Sequence, residues 1–370
     1  MRITAIFWQS HVTMLARAAA SVPEVTLDLF ASKTLDEDPE QFAAMAASLA
    51  RAEAVVLYRS GETVWSRIEP LLATVPDGIP VICLSHDPSL WAQSTVPLAV
   101  VRRCYDYVVY GGRDNFAALL RAVEGLARGT DFADASEPVR QPWEGLWHPR
   151  APEPFFPDRE RFDAWQADDL ASRGLGDTPR VGMLFSRHYW VNDNAAPEAA
   201  IIAALEAEGL AVVPLFSHGV RDANIGNRGS LEAARAAFAP TPGRRPIEAL
   251  VKLSTFFLGQ EAGSGSDAQA AGGVALFTDF DVPVFQPVVS SSRSITAWRD
   301  DPQGLGPEIA WMVAMPEFEG VIEPLFVGGV SRDEGCGTTA AIEQRQPEPE
   351  RCRRLAKRVA RWVEIGRAHV

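Results

Sequence analysis

The chain has 370 residues, 47% of them apolar and 22% charged, a composition that allows two to three soluble domains with large cores. Lys and Arg total 35 against 48 Asp and Glu, and the resulting net charge of −13 repels a phosphate backbone, so nucleic acid is not an expected partner. No apolar run reaches the roughly 18 residues that a membrane-spanning helix needs.

The N-terminus reads as a first strand, Ile3–Trp8, because the apolar run is too short for a signal-peptide core before Gln9, Ser10 and His11. The compartment expected on this basis is the cytoplasm. Further strands are predicted at Ala54–Tyr58, Val81–Leu84 and Tyr107–Tyr110, with helices at Gln41–Arg51 and Asn115–Leu126. Strands alternating with helices imply a mostly parallel sheet covered on both faces. Tyr58–Glu62 and Ser85–Pro88 then fall at the strand C-terminal edge, where such sheets place ligands. A linker follows from Thr130 to Pro157, in which six prolines exclude a regular helix or a central strand. A second block opens with a strand at Arg180–Ser186, then a helix at Ala196–Glu208 and strands at Ala211–Phe216, Ala249–Leu258 and Val282–Gln286. Gly259–Gly273, rich in Gly, Ser and Ala, reads as a loop. The expected fold class is therefore α/β, with two Rossmann- or flavodoxin-like lobes of mostly parallel sheet joined by a Pro-rich linker. The expected boundaries are 1–130, a linker and connecting helix at 131–178, the second lobe at 179–330 and the start of a further helical segment at 331–363.

Arg351, Arg353, Arg354, Lys357, Arg358 and Arg361, the best candidate for a local basic patch, interleave with Leu355, Val359 and Trp362 at helical spacing, a pattern that an amphipathic packing helix explains at least as well as a nucleic-acid contact. The last seven residues, Glu364–Val370, are what a common sequencing-adapter DNA encodes in frame, and 364–370 are expected to be an artefact.

Catalytic signatures are scarce. Cys83, Cys104, Cys336 and Cys352 form no close pair and read as buried thiols. The six histidines, His11, His86, His148, His188, His218 and His369, never pair at metal-ligand spacing, so no metal site is expected and no catalytic residue is assigned. Gly263–Asp267 lacks the third glycine of a dinucleotide fingerprint and reads as a connector. Three polar clusters remain. Arg187, His188 and Asn194 follow a strand and precede a helix, where a guanidinium can fork onto a carboxylate and backbone N–H groups favour an anion. A turn with Asn194 as N-cap fits that pattern equally well. Ser290, Ser292 and Trp298, with Arg293, would suit a flat ring edged with carboxylates and amides, or a solvated loop with Trp298 in the core. Glu317, Glu319 and Glu323 could bind metal or move protons, although such spacing is usually an exposed turn. These residues alone describe a two-lobed ligand-binding protein and name no reaction.

A family resemblance runs through the same clusters. It is carried by Tyr110–Phe116 and Pro142–Pro149, then by Arg180–Arg187, Gly304–Trp311 and Met315–Pro324, in this order. Together they resemble the large-subunit family shared by aerobic cobaltochelatase (CobN-type) and magnesium chelatase, over about residues 50 to 363. The resemblance implies a subunit that binds a corrin-type tetrapyrrole and inserts a divalent metal, with Co2+ as substrate metal. AAA+ ATPase motor subunits would be its partners, using ATP and Mg2+ that this chain does not itself bind. Tyr189–Asn194 and Ala310–Glu317 look closer to the cobalt branch, whose substrate is hydrogenobyrinic acid a,c-diamide in cobalamin synthesis. The alternatives are the large subunit of a magnesium chelatase (its H component) acting on protoporphyrin IX and a non-catalytic two-lobed small-ligand-binding protein. Family large subunits are several times longer, so metal-binding residues are expected beyond residue 370 and this portion is expected to be inactive alone. Arg187, His188, Asn194, Ser290, Ser292 and Trp298 are the expected ring-facing residues, and Gly111, Gly145, Gly182 and Gly320 are expected at turns that need permissive backbone angles.

Overall fold

The computed structural model describes residues 1–176, 178–242, 246–259, 266–333 and 342–368. Gly263–Gly265, Cys336 and His369 lie outside the described residues. The fold is mixed α/β with mostly parallel sheets, and its residues divide into two compact units. The first comprises Met1–Gln141 with Val191–Asp193 and Arg332–Gln344; the second comprises Pro142–Trp190, Asn194–Ser331 and Arg345–Val370.

The first unit is built on β1 (Arg2–Phe7), β2 (Thr26–Ala31), β3 (Ala54–Arg59) and β4 (Val81–Ser85), all parallel in the order β2-β1-β3-β4. β2 was not among the predicted strands, although Thr26-Leu27-Asp28-Leu29 alternates polar and apolar residues as a half-buried strand does. It sits at the sheet edge, where Asp28 takes two hydrogen bonds of 2.9 Å from Arg2 Nη1. One apolar layer, including Phe7, Leu15, Tyr107 and Phe116, covers one face of the sheet. A second, with Phe30, Met45, Trp65 and Ile68, covers the other. The expected strand Tyr107–Tyr110 is instead the end of a helix, Leu98–Tyr110. Its buried residues Val100, Val101, Cys104, Tyr107 and Val108 recur at three- and four-residue spacing, and that period overrides the local β-propensity of Tyr and Val.

The second unit contains β5 (Glu144–Leu146), β6 (Arg180–Ser186), β7 (Ala211–Ser217), β8 (Ala249–Lys252) and β9 (Val284–Phe285), in the order β5-β7-β6-β8-β9. β6 to β9 are parallel and β5 is an antiparallel edge. The proline-rich linker thus contributes an edge strand, which its proline content permits. Pro214 lies within β7, where its carbonyl accepts from Trp147 N just past the end of β5; its missing N–H faces the same side, where the short edge strand has stopped. A smaller sheet has the order β10-β11-β12 and comprises β10 (Val288–Val289), β11 (Phe326–Asp333) and β12 (Ile342–Pro347). The last two replace part of the helical segment expected at 331–363. The predicted strand Ala249–Leu258 stops at Lys252, and the predicted loop Gly259–Gly273 gives way to a helix, Ser266–Phe280. The final helix, Pro349–Ala368, buries Cys352, Leu355, Ala356, Val359 and Val363 and continues through Glu364, with Arg367 paired to Glu248 at 2.7 Å.

Gly111 and Gly320 do adopt positive φ, 69° and 84°. Gly145 and Gly182 do not: they sit within β5 and β6, and the reason for glycine there is space. A Cβ on Gly145 would lie 2.8 Å from the Phe216 ring, and one on Gly182 3.0 Å from Ile247. Cys83, Cys104 and Cys352 are buried free thiols, and burial pushes the Cys83 pKa up to about 11. Among the described residues no helix is long and apolar enough to cross a membrane.

Candidate functional site at the carboxyl edge of the second sheet

In a parallel sheet, ligands favour the carboxyl ends of the strands where the strand order reverses. In the second unit that point lies between β6 and β8, because β7 and β8 flank β6 on opposite sides. Three polar assemblies lie along this edge or after β10.

At the end of β6 a short helix, Arg187–Val191, begins directly. Arg187 is buried, donates from Nε to the Pro142 carbonyl at 2.6 Å and lies 4.7 Å from the centre of the Trp143 ring. Burial pushes its pKa down to about 10. Trp143 in turn lies 5.5 Å from His218, beyond the end of β7, where Ser217 and Ser230 share a 2.6 Å hydrogen bond. His188 is half-buried against Tyr189. Asn194 is not an N-cap. Ala195 occupies the cap position without a side-chain bond, and Asn194 Oδ1 accepts from Arg345 N at 2.9 Å. Arg345 also forks onto buried Glu198 at 2.7 and 2.8 Å and stacks 3.4 Å from the Tyr189 ring centre.

At the end of β8 stands Lys252, fully buried. Its Nζ donates to the Ser254 and Phe256 carbonyls at 3.2 and 3.0 Å and to Gln286 Oε1 at 3.2 Å, and lies 3.3 Å from Glu319 Oε2. Glu319 Oε1 accepts from Leu258 N at 2.6 Å. Burial drives the Lys252 pKa down and the Glu319 pKa up, and the attraction between the two opposes both shifts. Glu319 is therefore no exposed-turn carboxylate, whereas Glu317 is exposed and Glu323 pairs with Arg358. Sequence reasoning missed Lys252 because a single lysine ending an apolar run carries no spacing signal.

After β10, Ser290 is fully buried and its hydroxyl bonds Glu308 Oε2 at 2.5 Å. Glu308 Oε1 accepts from Ser291 N and Oγ at 2.8 and 2.7 Å. Ser292 is exposed, and its N–H bonds Ser290 Oγ at 3.3 Å. Trp298 stacks on Phe326 with ring centres 4.0 Å apart and 3° between planes, beneath the guanidinium of Arg351 at 5.2 Å. The six expected ring-facing residues thus fall into two groups, one following β6 and one following β10 in the other sheet, with Arg187 and Ser290 buried. Among the described residues no group of three or more metal-ligating side chains occurs.

The first unit has a polar chain at its own carboxyl edge. Tyr58 OH and His86 Nε2 are 2.8 Å apart, and His86 Nδ1 and Tyr105 OH are 3.0 Å apart. Burial raises the Tyr58 pKa and lowers that of His86, so both stay neutral near pH 7.

The CobN/Magnesium Chelatase family model matches residues 105–369, well over half of the chain. An uncharacterized protein, MJ1441, of Methanocaldococcus jannaschii is 28% identical over 99% of this chain and 27% of its own length. The aerobic cobaltochelatase CobN protein of Pseudomonas aeruginosa is 28% identical over 97% of the chain and 27% of its own. The H component of the Rhodobacter capsulatus magnesium chelatase is 29% identical over 72% of the chain and 21% of its own. Among solved structures, the catalytic subunit of cobaltochelatase from Mycobacterium tuberculosis shares the fold with a TM-score of 0.60 and 20% identity, over 97% of this chain and 27% of that one. The chain spans about a quarter of the length of these relatives. On the extent of the family match, the chain belongs to the CobN/magnesium chelatase family.

Proposed function

We propose that this chain forms the N-terminal, tetrapyrrole-binding part of a cobaltochelatase large subunit, acting in the cytoplasm. The whole assembly would insert Co2+ as substrate into hydrogenobyrinic acid a,c-diamide during cobalamin synthesis, and AAA+ ATPase partners would supply the work of ATP hydrolysis. The observation that supports the cobalt reading is the alignment with the Pseudomonas aeruginosa cobaltochelatase protein across 97% of the chain. The Rhodobacter capsulatus magnesium-chelatase protein, 29% identical over 72% of the chain, keeps a second reading, a magnesium chelatase large subunit acting on protoporphyrin IX. Exposed Ser292 and half-buried His188 support ring binding by the second unit, held by the buried Ser290–Glu308 and Arg187–Trp143 supports.

Titration of the chain with hydrogenobyrinic acid a,c-diamide and with protoporphyrin IX, followed by tryptophan emission, tests the reading. Quenching by the corrin precursor supports the cobalt branch, and selective quenching by protoporphyrin transfers the chain to the magnesium branch. If neither ring changes the emission, ring binding by this part is refuted.

A further inference from the structure

The exposed face of the helix Pro349–Ala368 presents Arg353, Arg354, Lys357, Arg358 and Arg361, all cationic, on a chain whose net charge is −13. Three neighbouring pairs at four-residue spacing repel: Arg353 with Lys357, Arg354 with Arg358, and Lys357 with Arg361. Arg358 is neutralised by Glu323 and Arg361 lies 3.2 Å from Glu364, whereas Arg353, Arg354 and Lys357 have no ion-pair partner among the described residues. These cations, with Glu323, Glu350 and half-exposed Trp362, line an open groove of about 740 Å³. Packing explains the opposite face of the helix, with Leu355, Val359 and Val363, but not this one.

We propose that this face is a docking surface for an acidic segment of another polypeptide, with an apolar side chain of that segment seated against Trp362. Charge complementarity orients the encounter: an acidic partner is repelled by the chain's net charge and attracted only where the unpaired guanidinium and ammonium groups cluster. Trp and Arg are the side chains that carry most binding energy at such interfaces.

The test is fluorescence anisotropy with the whole chain at about 0.15 M salt. The probes are a labelled Glu/Asp-rich peptide carrying one leucine, the same peptide with that leucine replaced by serine, and a single-stranded oligonucleotide of equal charge. The leucine peptide is expected to bind tightest. The combined Arg353→Glu, Arg354→Glu and Lys357→Glu variant should weaken it by about tenfold or more. Trp362→Ala should remove the advantage of leucine over serine while leaving the salt dependence. Thermal melts should show both variants folded, since the replaced side chains all lie on the exposed face of the helix. The proposal is overturned if the oligonucleotide binds as tightly as the leucine peptide. Indifference of peptide affinity to the reversal or to Trp362 overturns it equally.

Discussion

The amino group of Lys252 has no solvent exposure, and its four oxygen contacts tie the backbone beyond β8 to Gln286 after β9 and to Glu319. Such a pair adds little over an apolar replacement, yet removing one member strands the other. Lys252→Met should therefore cost about 3–5 kcal/mol in urea unfolding, and adding Glu319→Leu should recover much of the loss. A single variant within about 1 kcal/mol of the parent would mean the pair does not hold this edge. Gly273 tests the same carboxylate from the other side. An alanine there would gain about 1 kcal/mol of helix propensity, but its Cβ would lie 2.1 Å from Glu319 Oε1. The clash should win, making Gly273→Ala destabilising by about 1–3 kcal/mol in the same measurement. Neither position stood out in the sequence, because a buried contact with a residue far along the chain leaves no local pattern.

The connection into the second sheet is anchored by an ion network in which Arg150 forks onto Asp169 and Glu206, and His148 lies 3.4 Å from Glu206. It joins the segment after β5 to the helices Arg159–Ser172 and Ala196–Ala207. Burial would raise the Glu206 pKa, but hydrogen bonds from Arg150 and His148 outweigh it and hold the pKa at about 2; the Arg150 bonds lower that of Asp169 as well. Folded values below unfolded ones stabilise the fold fully above about pH 5, and that stabilisation is lost as pH falls towards 2. Urea midpoints should thus drop across this window, and Glu206→Gln should flatten the drop while lowering the midpoint at pH 7. A drop of equal size in the variant would assign the acid sensitivity elsewhere. Elements with a strong period were legible in sequence: β1, β3, β4, β6 and β7 lie within two residues of expectation. β10 and β11 were not, since Val288–Val289 is two residues long and β11 contains Gly328 and Gly329, which carry no strand signal.

At the scale of the whole chain, the parallel α/β class followed from alternation of apolar runs with helical periods, and the family from five short motifs kept in order. The candidate site was legible only as loops beyond strand ends. Which of its side chains are buried supports depends on long-range partners such as Glu308 for Ser290 and Phe326 for Trp298, and a single sequence does not display those pairings. The division into units has its own consequence for synthesis. The first unit includes Val191–Asp193 and the strand residues up to Gln344, and Thr13 Oγ1 bonds the Glu343 carbonyl at 2.8 Å. As the chain leaves the ribosome, its opening lobe must wait for about 200 further residues before its last pieces exist, a delay of roughly 10–40 s at ordinary elongation rates. Until then the lobe is an unfinished body tethered to a growing one, and that interval is when a chaperone has most to guard.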